Sequence, residues 1–167
     1  PWMPWAHSEP EELSEKVKRL RHFRALFDRD EDYIYGVFDL EESRVLGGTG
    51  LHTRLGEGAL EIGYWIHADF TNQGLTTELA GALTRVAFEV NGVNRVEIHC
   101  APDNLASAAV PRKLGYLHEA TLRQRVQDEK EEWGDSMIWT LFREDYPNSP
   151  AADLQVKAFD AINRRLI

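Results

Sequence analysis

The sequence predicts an α+β fold in one domain: a single mixed, mostly antiparallel sheet with helices on both faces. Three observations carry this. Antiparallel strands come first, then a strand-helix-strand-helix unit, then another hairpin, an order that belongs to a mixed sheet rather than to a doubly wound or all-β fold. Residues 61 to 77 pass from an apolar, aromatic strand through a short polar turn carrying Gly74 into a helical pattern that begins at Leu75. The length of 167 residues suits one core of ordinary size and is too short for two.

Composition narrows the function classes. With 43% hydrophobic and 28% charged residues the chain reads as an ordinary globular protein. No apolar run approaches the roughly 18 residues of a membrane span, and nothing reads as a signal peptide. A formal net charge of -9 argues against non-specific nucleic-acid binding and favours the approach of an amine. The lone Cys100 excludes an internal disulfide and a multi-cysteine metal site, and it fits a reducing compartment, so the expected location is the cytoplasm.

The elements follow in order. Trp2 and Trp5, set between prolines, read either as the lining of an apolar pocket or as core anchors. Ser8 to Glu11 has capping-box spacing with Pro10 in the first turn, and Leu13, Val17, Leu20, Phe23 and Phe27 recur at helical intervals to about Phe27. After a polar loop, Tyr33 to Phe38 alternates as a strand. Arg44 to Arg54 is its antiparallel partner, with a bulge at Gly47-Gly48. A turn at Gly56 to Gly58 leads into the strand at residues 61–66. Leu79, Ala82, Leu83, Val86 and Val90 extend the next helix to a stop at Asn91-Gly92. Arg95 to Cys100 is a strand, and Asp103-Asn104 caps a helix from Leu105 to Leu114 that stops at Gly115. Tyr116 to Val126 and Ser136 to Arg143 form a hairpin around a charged loop. A last amphipathic helix within residues 150–167 is expected to carry Leu154, Ala158, Ile162 and Leu166.

The strand-turn-helix at residues 61–77 has a chemical meaning. The first N-H groups of a helix lack intrahelical partners and sit at the positive end of its dipole, so a phosphate satisfies several of them together. Gly74 allows close approach of the backbone, and Thr76 and Thr77 offer hydroxyls. The plain alternative is a helix start that needs a small residue.

Two motifs then carry a specific resemblance: Glu61-Ile-Gly-Tyr-Trp-Ile66 followed by Thr71-Asn-Gln-Gly-Leu-Thr76, and Asn104-Leu-Ala-Ser-Ala-Ala-Val-Pro-Arg-Lys-Leu-Gly-Tyr116. In this strand-helix order, the chain from Trp2 to about Tyr146 resembles the GNAT superfamily of acyl-CoA N-acyltransferases. The likeness is to its RimJ/RimL-like branch, named for ribosomal-protein N-terminal acetylation. The resemblance implies a GNAT-like sheet splayed between two central strands. It implies that Asn72, Gln73, Gly74, Leu75, Thr76 and Thr77 form the loop whose backbone amides hold the pyrophosphate of coenzyme A. Ile66, His67 and Ala68 would flank the pantetheine arm, which pairs with the strand as a further strand would, and Asn104 would reach it from the other side. Thr71 and Thr76 replace family signature residues, a departure expected to weaken affinity without abolishing it, because backbone N-H groups do most of the binding. Trp2 and Trp5 match a Pro-Trp-x-x-Trp-like segment at the branch's acceptor pocket. The branch's first strand and helix precede that segment, so about twenty to thirty upstream residues are expected. The family's strand splay also permits a homodimer.

An enzyme of this kind takes acetyl-CoA as donor and needs no metal. It must supply a base for the amine, a donor for the oxyanion and a proton for the departing thiolate. Glu61 is the first candidate base, a strand carboxylate beside Tyr64 and Trp65 whose partial burial would raise its pKa; its plain reading is a solvated strand residue. His99 on the adjacent strand is the second, with simple packing as its alternative. Where many family members place a tyrosine acid, this chain has Pro111; Ser107, one turn earlier, matches the serine of RimL-like relatives. Pro111 also has no N-H for the carbonyl of Ser107, so a kink is expected there. Ser107 is therefore expected to hydrogen-bond the leaving thiolate, with close packing as the alternative. Cys100 leaves open a ping-pong route, although direct attack in a ternary complex is preferred. The expected acceptor is a primary amine of a peptide N-terminus or a small molecule, with no nucleic-acid or membrane partner. A larger donor such as succinyl-CoA and a non-catalytic CoA-binding module are the alternatives.

Overall fold

The computed structural model describes residues 11–127 and 132–167. Trp2, Trp5 and the Ser8 capping position lie outside the described residues, as does the middle of the charged hairpin loop. The described order is α1 (Leu13–Asp28), β1 (Asp32–Phe38), β2 (Val45–His52), β3 (Ala59–Ile66), α2 (Leu75–Glu89), β4 (Arg95–Cys100), α3 (Leu105–Lys113), β5 (Leu117–Gln127) and β6 (Trp133–Phe142). No described helix is long and apolar enough to cross a membrane.

The six strands form one sheet in the order β1-β2-β3-β4-β6-β5. Every neighbouring pair is antiparallel except β3 and β4, which run parallel because α2 carries the chain back across the sheet between them. The bulge in β2 falls one residue before the predicted glycines: Val37 pairs with Gly47 and Phe38 with Val45, which leaves Leu46 as the extra residue.

Register sorts the side chains onto two faces. Leu51 stands opposite Ile62, Leu60 opposite Val96, Val96 opposite Leu141, and Ile98 opposite Trp139. These residues are buried together with Ala80, Leu83, Ala87 and Phe88 of α2 and Ala108 and Val110 of α3. Each large side chain buried there stabilises the fold by about 1.5–3 kcal/mol. The other face carries Asp32 opposite His52, His52 opposite Glu61, Glu61 opposite Glu97, and Glu97 opposite Thr140, one polar row across β1, β2, β3, β4 and β6. Among the described residues the predicted helices appear as α2 and α3 on the apolar face and α1 against β1. There Phe27 meets the rings of Tyr33 and Tyr35 edge-on, with centroids 5.6 Å apart in both pairs.

The predicted last helix is absent. Residues 150–167 are irregular, closed by an isolated antiparallel bridge between Phe159 and Arg165. Asp160 Oδ1 accepts the N-H groups of Ile162 (3.1 Å) and Arg164 (2.8 Å), and Asn163 adopts a φ of 63°. A carboxylate that captures nearby backbone donors holds a turn in place of a helix. Leu154 does reach the core, where Gly81 of α2 makes room: a Cβ on Gly81 would stand 2.1 Å from Leu154 Cδ1. Ile162 is 82% exposed, so the apolar spacing there has no face to bury.

The two readings of this segment separate by mutation. Leu154→Asp is expected to destabilise the protein by about 1–3 kcal/mol, whereas Ile162→Asp changes stability by less than about 0.5 kcal/mol. Urea unfolding of both variants measures the difference.

Candidate active site

The central feature is a gap between β3 and β4. Their parallel pairing is confined to Ala59 with Arg95, Leu60 with Val96, and Glu61 with Glu97. Both strands continue, but residues 62–66 of β3 have no partner on the β4 side, while β4 stays paired to β6. An unpaired strand edge offers alternating N-H and C=O groups to any extended molecule laid into the gap. This is the splay anticipated from the motifs.

At the open end of β3 the chain makes the predicted turn. His67 N-H bonds the Leu46 carbonyl at 2.8 Å, and Ala68–Phe70 form a single 3-10 turn. The His67 ring accepts the Asp69 N-H at 3.3 Å, so this side chain builds the turn. Thr71 does likewise, its hydroxyl donating to the Ala68 carbonyl at 2.9 Å. Gln73 reaches back to the Asp69 carbonyl at 3.2 Å. Asn72 and Gly74 both take left-handed conformations, with φ of 60° and 85°. Gly74 is the N-cap of α2, and no side chain caps that helix. Thr77 and Glu78 direct their N-H groups to the Gly74 carbonyl, and the amides of Leu75 and Thr76 take no backbone partner among the described residues. The uncapped start of α2 beside Thr76 and Thr77 has the donors that a phosphate requires.

On the apolar side of the gap, Asn104 caps α3 by accepting the Ser107 N-H on Oδ1 at 3.0 Å. The helix continues through Pro111. The Ser107 carbonyl that Pro111 leaves without a donor lies 3.2 Å from the hydroxyl of Tyr64, which donates to it; Tyr64 also lies 3.1 Å from the Ser107 hydroxyl. Burial pushes the Tyr64 phenol up, opposed by its Ser107 hydrogen bond, so it stays protonated. Cys100 lies on the same side, and burial pushes its thiol up as well.

The polar side carries the two expected bases, and it corrects one expectation. Tyr64 is not beside Glu61: three residues apart on a strand, they point to opposite faces. Glu61 is 6% exposed and accepts on both oxygens from Arg54, with Nε to Oε2 at 2.7 Å. His99 places Nε2 2.7 Å from Glu97 Oε2 and Nδ1 3.7 Å from Glu61 Oε2. Arg95 Nε donates to Glu97 Oε1 at 2.7 Å. Arg54, Glu61, His99, Glu97 and Arg95 thus form one continuous charged cluster at the mouth of the gap. The hydrogen bond from His99, and then that from Arg95, hold the Glu97 carboxyl below the usual glutamate range against the opposing effect of burial.

This combination of parallel splay, uncapped helix start and capped α3 lies in a chain whose residues 1–117 match the model of the acetyltransferase (GNAT) domain. The chain belongs to the GNAT acetyltransferase family. This acyl-CoA-dependent acetyltransferase is 28% identical over 131 residues to the Probable N-acetyltransferase YjcK of Bacillus subtilis (strain 168), covering 77% of this chain and 71% of that protein. Its fold is similar to that of the ribosomal-protein-S5-alanine acetyltransferase from Vibrio fischeri, with a TM-score of 0.75 and 19% identity over 86% of this chain and 80% of that one. It is also similar to RimL, a ribosomal L7/L12 alpha-N-protein acetyltransferase solved with coenzyme A. There the TM-score is 0.70 and the identity 22%, over 79% of this chain and 73% of that one. At these identities the solved structures establish the fold, and the RimJ/RimL-like resemblance is met at that level.

The structure of this acetyltransferase brings Ile66, the 72–77 turn, Asn104, Ser107, Glu61 and His99 to the two sides and the end of one gap. The sequence reading missed Glu97 and the contact of Tyr64 with Ser107. Strand alternation carried both signals, since Glu97 shares a face with His99 and Tyr64 shares one with Ile62.

Glu97 gives a pH test. Its pKa in the folded state lies below the unfolded value, so its contribution to stability is present above the unfolded value and lost as pH falls through the folded one. Glu97→Gln is expected to lower the melting temperature at pH 7, with the gap from wild type narrowing below about pH 4.3. Thermal melts across pH check this.

Proposed function

We propose that this acetyltransferase moves an acetyl group from acetyl-CoA to a primary amine, of a peptide N-terminus or a small molecule, by direct attack in a ternary complex. The observation that carries the reading is the gap between β3 and β4, which has a free strand edge along it, an uncapped helix start at its end and opposite chemistries on its two sides. RimL, by its description, pairs this fold with coenzyme A and with a ribosomal protein's α-amine, and that is the donor and acceptor class proposed here.

Each group then has a task. The edge at residues 62–66, continuing to His67 and Ala68, pairs with the pantetheine arm, and a backbone N-H there donates to the thioester oxygen as negative charge develops on it. The amides of the 72–77 turn hold the pyrophosphate. Asn104 keeps α3 capped and presents its amide to the arm. The Ser107 hydroxyl hydrogen-bonds the departing thiolate from the apolar side. Glu61 and His99, with Glu97, form the charged wall along which the amine enters, where the -9 net charge of the chain also favours a cation. Buried Cys100, with its thiol pKa raised, is a poor nucleophile at neutral pH, which favours direct attack over an acetylated cysteine.

The test is a thiol-release assay with acetyl-CoA and succinyl-CoA across peptides with free N-termini and small primary amines. Turnover with acetyl-CoA supports the reading. Preference for succinyl-CoA moves the donor, and tight CoA binding without release across the whole panel replaces the enzyme with a binding module. Ser107→Ala is expected to lower kcat about a hundredfold while CoA binding is largely kept.

A further inference from the structure

We infer that His52, held by Asp32, is the general base that takes the proton from the acceptor amine, a role that rests on the acetyl-transfer reading above. Asp32 and His52 face each other across β1 and β2. Both oxygens of Asp32 lie on one ring nitrogen, Nδ1, at 3.0 and 3.1 Å. A carboxylate only accepts, so Nδ1 carries the hydrogen, and in the neutral ring the lone pair is on Nε2. No described residue bonds Nε2.

Two glycines form the bed of the ring. A Cβ on Gly50 would stand 3.0 Å from both Cε1 and Nε2 of His52, and one on Gly63 would stand 2.9 Å from Nε2. Neither glycine has a left-handed φ; Gly63 supplies space for the imidazole, and Gly50 supplies it for the imidazole and for the Tyr33 carbonyl, 3.0 Å from the same Cβ. Gly63 pairs with Gly50 on one side and belongs to the stretch of β3 with no partner on the β4 side. His52 Nε2 therefore lies over the strand whose β4-side edge is the one proposed above to take the thioester, and the side chain is 20% exposed, enough to exchange a proton with water.

The alternatives on the same face are committed. Glu61 uses both oxygens on Arg54, and each ring nitrogen of His99 faces a carboxylate, Glu97 or Glu61. The charged groups around His52 are Asp32 from β1, Arg54 in the turn just beyond its own strand and Glu61 opposite it on β3.

The ammonium of the acceptor gives one proton to His52 Nε2. The freed lone pair forms the C-N bond at the thioester carbon, and the C-S bond breaks with its electron pair leaving on sulfur. The second proton shed by nitrogen is the one the thiolate gains. Amide, CoA thiol and a His52 imidazolium result, and the imidazolium returns its proton to water. Asp32 is a positioning residue that fixes the tautomer.

Thiol release by wild type, His52→Ala and His99→Ala, with and without added imidazole, tests this. His52→Ala is expected to lose about a hundredfold or more in kcat, to keep CoA affinity, and to recover part of its rate with imidazole, for which the glycine bed leaves room. Undiminished turnover in His52→Ala, a loss that imidazole does not touch, or rescue of His99→Ala in its place overturns the assignment and leaves acetyl transfer standing. A wild type that releases no thiol with any amine of the panel removes the acetyl-transfer reading itself, and the assignment with it. Should His52→Ala fail to fold, Asp32→Asn decides: lowered kcat at unchanged KM for acetyl-CoA, with partial recovery in Asp32→Glu, supports the base, and unchanged kcat overturns it.

Discussion

Parallel pairing of β3 with β4 ends after Glu61 and Glu97, and nearly everything of functional interest depends on that end point. Had the ladder continued, residues 62–66 would have spent their N-H and C=O groups on β4. Because it stops, an unpaired edge persists in the centre of a sheet, where it is shielded from the edge-to-edge association that exposed outer strands invite. The same divergence opens a passage between the two faces, so groups on the apolar side and groups on the polar side meet at one line.

The two sides are stabilised differently. On the apolar side the core of β3, β4, β6, α2 and α3 excludes water, and Thr84 and Tyr116 satisfy each other there at 2.6 Å, although the buried Trp139 Nε1 has no hydrogen-bond partner among the described residues. On the polar side, buried carboxylates would each cost several kcal/mol if left alone, and guanidinium or imidazole partners offset this. Glu61 with Arg54 and Glu97 with His99 and Arg95 are such pairs. That demand for partners commits the acidic groups to structure and leaves the proton chemistry to a histidine held at one nitrogen.

Much of the strand and helix order was legible because alternation and helical spacing are local signals. The turn at Asn72 to Gly74 was legible for the same reason, since left-handed backbone favours just these residues. What connects distant segments was not. Asp32 meets His52, and Glu61 meets Glu97, only through sheet register, which no window of sequence contains. Residues 150–167 show the converse: Leu154, Ala158, Ile162 and Leu166 repeat at helical spacing, yet Asp160 captures the backbone donors a helix would need.

Pro111 has a consequence for how α3 and β3 act together. By withholding an N-H it leaves the Ser107 carbonyl dependent on a hydroxyl from another element, and Tyr64 has a single hydrogen with two acceptors within reach, that carbonyl at 3.2 Å and the Ser107 hydroxyl oxygen at 3.1 Å. In the proposed reaction Ser107 would turn its own hydrogen toward the sulfur anion, so its oxygen would become the richer acceptor and draw the phenol across. The helix carbonyl would then be bare for as long as the anion lasts, at a cost of about 1–3 kcal/mol. A proline in a helix and a phenol on a strand would together make a spring-return, the hydroxyl pair relaxing to its starting arrangement once the sulfur is protonated.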